Sequence, residues 1–225
     1  MAEVLALVES RLGSVLGEPD ARASVTFLGA DRIEVLRFPG TDPGAGAGAD
    51  GGADGGAGRA GEGPAGGRGP GRGLLRYATL GMSAHPMSDP TALVADPVEG
   101  PRAELLLTVR AGVADTDKVL RALAVLAASP QVEGVVVAPG ASLDVGGPLW
   151  PGAPFHSVLV AEPGGLVPDL ELPAPRDPVR FLPLLPMTPN EAAWKRVHGA
   201  PALQERWLAE GTDLRDPRRG SVRLG

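Results

Sequence analysis

The chain has 225 residues and a formal net charge of −6, a balance that gives it no general attraction for nucleic acid or for an anionic membrane surface. It contains no cysteine, which excludes a disulfide framework and any thiolate metal site and fits a reducing compartment. No run approaches the roughly 20 apolar residues of a membrane span, and Glu3, Glu9 and Arg11 interrupt the apolar N-terminal stretch, so a cytoplasmic protein is expected.

Val4, Leu5, Val8, Leu12, Val15 and Leu16 recur at helical spacing and predict a helix over 3–16, stopped by Gly17 and Pro19. Strands are predicted over 24–28 and 32–38, with Gly29, Ala30 and Asp31 turning a hairpin. From Gly40 to Gly73 glycine and alanine dominate without a three-residue period, which excludes collagen. Such a segment buries too little apolar surface to offset ordering and is expected to be a disordered insertion. Its closure entropy costs only about 2 kcal/mol over a tight turn, so a stable domain tolerates it.

A strand over 75–82 follows, with Gly81 as a bulge, and then a polar, proline-punctuated loop over 84–101. The alternation of Ala103, Leu105, Leu107 and Val109 with Glu104, Thr108 and Arg110 predicts a half-buried antiparallel strand with one solvated face. A helix over 116–128 is capped by Asp115 or Thr116 and ended by Pro130. Extended segments are predicted over 132–138, 142–145, 155–161 and 179–185.

Thr188-Pro189-Asn190-Glu191 is a capping box with proline at the first helical position, opening a helix that Gly199 ends. A second helix runs from Pro201 to Gly211. Trp194, Val197, Leu203, Trp207 and Leu208 are its expected core contacts and those of the helix before it. The tail with Arg215, Arg218, Arg219 and Arg223 reads as solvated. The order of elements predicts an α+β fold, a mainly antiparallel or mixed sheet with peripheral helices. One compact domain over 1–225 would carry 40–73 as its insertion.

Candidate chemistry is sparse. His85, His156 and His198 lack metal-ligand spacing; a metal site would need His85 and His156 to converge with Asp89 or Asp144. Gly81-Met82-Ser83 lacks the second glycine of a nucleophile elbow, and a base would have to come from His156 with Asp144. The G-x-G matches in the glycine run precede no helix with Lys and Ser/Thr, so no phosphate loop is present. Asp169 with Glu171 and Glu99 with Glu104 show no divergent environments of the kind acid–base catalysis needs. No catalytic, cofactor or metal residue is assigned. A small hydrolase or metal enzyme using Ser83, His85 and His156 is the alternative to a binding protein.

Several stretches together resemble the suppressor-of-fused domain family: Tyr77-Ala78-Thr79-Leu80-Gly81-Met82-Ser83, Ala103 to Leu107, Gly147 to Trp150, Phe155 to Leu159, Phe181 to Trp194, and Asp216 to Val222. The likeness covers about 74–222 and departs at Gly40 to Gly73, where the family has a short connection. It implies a single-domain, bacterial-type member without enzyme activity or cofactor, acting as a binding scaffold. Some bacterial members resemble immunity proteins of polymorphic toxin systems, so a protein partner, a toxin among the candidates, is expected. The predicted antiparallel strands suggest an exposed sheet edge that accepts an extended segment. Trp150, Phe155 and His156 are the contact candidates, because a loop aromatic beside a strand is a common anchor.

Overall fold

The structure, a computed structural model, describes residues 2–27, 31–41, 73–88, 96–112 and 115–225. The expected insertion lies outside the described residues except at its margins. There the expectation is corrected: Gly40, Thr41 and Gly73 belong to strands, and Thr41 pairs with Gly73. The hairpin turn at Gly29 and Ala30 also lies outside, as does the side chain of Thr116.

One sheet takes all the described strands: β1 (Ala21–Val25), β2 (Ile33–Thr41), β3 (Gly73–Leu80), β4 (Arg102–Arg110), β5 (Ser142–Asp144), β6 (Ser157–Val160) and β7 (Val179–Met187). Their order is β1-β2-β3-β4-β7-β6-β5, antiparallel throughout except for the parallel β4–β7 pair. Among the described residues four α-helices surround it: α1 (Ala2–Leu16), α2 (Thr116–Glu133), α3 (Pro189–His198) and α4 (Ala200–Ala209). The fold is α+β with a mixed sheet and peripheral helices, as the order of elements predicts.

The alternation of β4 divides the core in two. Ala103, Leu105, Leu107 and Val109 face α2, where they meet Val119, Leu123 and Leu126. Leu106 faces the opposite layer, built on Val4, Val8 and Leu12 of α1. The expectation of a solvated face on β4 is thereby corrected, because α1 covers the second face and β4 is a central strand. A third cluster, with Leu203 and Trp207 of α4, packs against Leu159 and Met187.

Two proline positions show how the backbone accommodates a missing N–H. α2 runs through Pro130 to Glu133 rather than ending before it. Pro130 has no N–H for the Leu126 carbonyl, and the Ser129 hydroxyl takes that carbonyl instead at 2.7 Å. Residues 135–138, expected to extend a strand, are irregular. In β7, Pro183 faces β6 at the end of the pairing, where its carbonyl accepts from Ala161 N at 2.8 Å. Pro186 points the other way, beyond the Leu107–Leu184 end of the β4 pairing. Pro183 forgoes only the terminal bond back to Ala161 and Pro186 lies past the β4 pairing, so the strand tolerates both.

Candidate functional site

Two buried carboxylates organise the molecule. The first is Glu104, which β4 turns away from the α2 layer into the end of β3. Its Oε2 accepts from Thr79 Oγ1 at 2.6 Å. Its Oε1 accepts from the backbone N–H of Gly81 and of Ser83, each at 3.0 Å, and from Ser83 Oγ at 2.6 Å. Thr79 Oγ1 in turn accepts from Leu105 N at 2.8 Å. Gly81 is needed here for its φ of 129°, and a Cβ on it would stand 2.8 Å from the Arg32 carbonyl oxygen. Beside this knot the buried Arg102 ties down the following turn, donating to the Ser83 and Ala84 carbonyls at 2.9 and 3.0 Å. Burial pushes the Glu104 carboxyl above its usual range, and the four donors pull it back only in part.

The second is Glu191, the far member of the capping box. Its Oε2 accepts from Thr188 N at 2.8 Å, and Glu191 N donates to Thr188 Oγ1 at 3.3 Å. Its Oε1 accepts from Trp207 Nε1 at 2.9 Å, Arg219 Nη1 at 2.7 Å and Val222 N at 3.1 Å. Arg219 Nη2 also donates to the Pro186 carbonyl at 2.6 Å, the group β7 leaves unpaired past β4. The guanidinium lies 4.9 Å from the Phe155 ring centroid and 5.5 Å from that of Trp207. Burial pushes the Glu191 carboxyl up, but the Arg219, Trp207 and backbone donors outweigh it and hold the group below its ordinary value. Arg219 is buried, so the reading of the whole arginine tail as solvated is corrected at this residue.

The sequence-predicted contact aromatics are inside the protein. Phe155 is 0% exposed and Trp150 4%, their rings meeting edge to face with centroids 5.8 Å apart. The connecting loop folds back on itself, Leu149 N donating to the Phe155 carbonyl at 2.9 Å, and this turns both rings inward. Neither ring is therefore presented on the free surface. His156 is half-buried and its N–H joins β6 to β7 through the Met187 carbonyl at 3.1 Å.

Ser83, His85, His156 and Asp144 do not assemble into the hydrolase or metal site that was the alternative. Ser83 and His85 follow the C-terminal end of β3, the end beside Arg102 and Val179. His156 and Asp144 sit at the other end of the sheet, beside Met187, with β4 and β7 between. Ser83 Oγ is committed to Glu104, and His85 Nε2 pairs instead with Asp31 Oδ2 at 2.8 Å. Asp89 lies outside the described residues, and among the described residues no three His, Asp or Glu groups could hold a metal ion. His198 stacks on Trp194 with centroids 4.2 Å apart. Val197 and Leu208, expected in the core, are 77% and 81% exposed.

The sheet ends in two edges of different character. β1 carries a closed charge network: Arg22 joins Glu9 and Glu34, Arg32 Nη2 meets Glu34 Oε1 at 2.9 Å, and Arg37 meets Asp20 at 2.7 Å. β5 begins at a bulge in which Gly140, with φ 85°, and Ala141 oppose Val160. Gly140 N donates to the Val160 carbonyl at 2.8 Å and Val160 N to the Ala141 carbonyl at 2.9 Å. By alternation from there, Leu143 faces β6, while Ser142 and Asp144 turn their N–H and C=O groups away from the sheet. Lys195 of α3 donates to the Gly140 carbonyl at 2.6 Å and to Ser142 Oγ at 2.9 Å, fixing the opposite face of this edge. On the α2 face an open groove of about 370 Å³ runs alongside, lined by residues of α2 and of the loop 145–151. The extended segment expected over 142–145 is present as β5, but with only three residues and no periodicity its sequence does not mark it as the edge of the sheet.

A family model described as Suppressor of fused protein (SUFU) matches residues 64–220. No curated protein matches the sequence. Among solved structures, a SUFU homolog from Neisseria gonorrhoeae superposes with a TM-score of 0.62 at 18% identity, covering 98% of this chain and 97% of that one. The structure of a Sufu–Fu complex gives 0.55 at 12% identity, with 98% and 91% covered. Drosophila Suppressor of Fused gives 0.55 at 13% identity, and this chain, 97% covered, spans 50% of its length. Four of the six stretches that resemble the family build the two carboxylate knots, with Thr79, Gly81, Ser83 and Glu104 in one and Thr188, Glu191 and Arg219 in the other. With the family model matched over most of its length, the chain belongs to the suppressor of fused family.

Proposed function

We propose that the chain is a non-enzymatic binding module that sequesters a protein partner by adding an extended segment of it to β5. The observation that carries this reading is the pair of outward-facing backbone units at Ser142 and Asp144, framed by α2 on one face and Lys195 of α3 on the other. An unpaired strand edge supplies affinity through main-chain hydrogen bonds and leaves specificity to the flanking side chains. One structure of similar fold is a Sufu–Fu complex, in which that relative is bound to another protein. The charge network on β1 leaves that edge guarded. In this reading Trp150 and Phe155 serve the site from beneath, holding the 149–155 loop against the core, and His156 ties the same loop to β7. The finer assignment is an immunity protein acting in the cytoplasm on a toxin. Co-expression with a toxin encoded beside it should rescue growth, and growth arrest despite soluble protein would refute that assignment.

The edge itself is tested with Ser142→Pro. Proline at this position removes an outward N–H and no ladder bond, so the domain should fold. Partner or peptide capture should fall at least ten-fold; undiminished capture by the folded variant would refute the β5 reading.

A further inference from the structure

The groove beside β5 has a chemistry of its own. Its floor is apolar, formed by Val145, Leu149 and the edge of Trp150, with Val125 of α2 along one wall. Above that floor α2 presents Lys118 and Arg121, one helical turn apart and both exposed. No carboxylate is among the described residues that line the groove, and neither cation forms an ion pair with a described residue. The net charge of the chain is −6, and Arg22, Arg110 and Arg219, unlike these two cations, each face a carboxylate.

The groove is continuous with the edge. Leu143 and Val145 turn their side chains to the α2 layer, and Ser142 and Asp144 turn theirs to the other face. A strand added to β5 would therefore send every second side chain over the groove, at steps of about 7 Å along the strand. One such side chain meets the apolar floor, and the next meets Lys118 and Arg121.

From this continuity and charge complementarity we infer that the partner segment is an extended acidic–apolar strand, with a large apolar residue and an Asp or Glu two positions apart, both facing α2. This deepens the β5 reading and rests on it. Lys118 and Arg121 select the carboxylate; the floor at Leu149 and Trp150 takes the apolar side chain.

The test is panning of displayed random octapeptides against the full chain, its K118E/R121E variant and its S142P variant, with folding checked by thermal melting. The wild type should select peptides with an Asp or Glu two positions from Leu, Ile, Phe or Trp. K118E/R121E should select Lys or Arg at that position and bind the synthetic wild-type-selected peptide at least ten-fold more weakly. Selection without acidic enrichment, or equal binding by K118E/R121E where S142P abolishes it, overturns the acidic partner and leaves the edge reading standing. Equal binding by S142P, or no peptide selected by any protein, overturns both.

Discussion

Arg219 Nη1 lies 2.7 Å from Glu191 Oε1, and the two side chains are only 6% and 0% exposed. Their pairing fastens the C-terminal segment to the start of α3 and to the end of β7. Removing one member leaves the other charge buried without its partner, which costs about 3–5 kcal/mol. Arg219→Ala should lower stability by that order in chemical denaturation. Arg219→Lys should recover little, because an ammonium cannot reach both Glu191 and the Pro186 carbonyl with a planar fork.

The two buried glutamates should give opposite pH signatures. Glu191 is held below its unfolded value, so its contribution is fully present above about pH 4.3 and is lost as pH falls through the folded pKa. Glu104 is pushed above it. Below about pH 4.3 it is neutral in both states, and as pH rises the unfolded carboxyl ionises first, so stability falls. Urea midpoints measured across this range should show Glu191→Gln losing the acid-side dependence. Glu104→Gln should remove the decline at higher pH. Glu104→Ala should cost about 2–4 kcal/mol, because it strands the Gly81 and Ser83 N–H groups.

Ser129 and Pro130 should be energetically coupled. Ser129→Ala frees the Leu126 carbonyl and should cost about 1 kcal/mol in the native background. In a Pro130→Ala background the restored N–H takes that carbonyl, and the same substitution should cost close to nothing. A double-mutant cycle reads the difference directly.

Gly81→Ala should destabilise by about 1–3 kcal/mol, since the added Cβ combines an unfavourable φ with a 2.8 Å approach to the Arg32 carbonyl. Thermal melting compared with Gly146→Ala, which has φ 77° but open space around it, separates the close approach from the backbone term.

The elements legible in the sequence were those with local signals. The α1 stripe of Val4, Val8 and Leu12 and the Thr188–Glu191 box depend on residues within one or two turns, and both stand as expected. What escaped was non-local. The partners of Glu104 lie 21 to 25 residues away and follow no period, so nothing in the sequence marks that carboxyl as a hub. The alternation of β4 was visible, but not that α1 covers its polar-looking face. Val197 and Leu208 were misplaced because each sits on a ten-residue helix, too short for its apolar side to be told from composition alone. The β5 edge, the part that the functional reading uses, carries only Ser142-Leu143-Asp144 and is defined by the bulge before it rather than by its own residues.

Amide hydrogen exchange with and without a selected peptide tests the central claim most directly. Ser142 and Asp144 should exchange rapidly in the free protein and slow at least ten-fold when the peptide is bound, with β1 unchanged. Protection that appears on β1 or on α3 and α4 while Ser142 and Asp144 stay fast would contradict a partner held at β5.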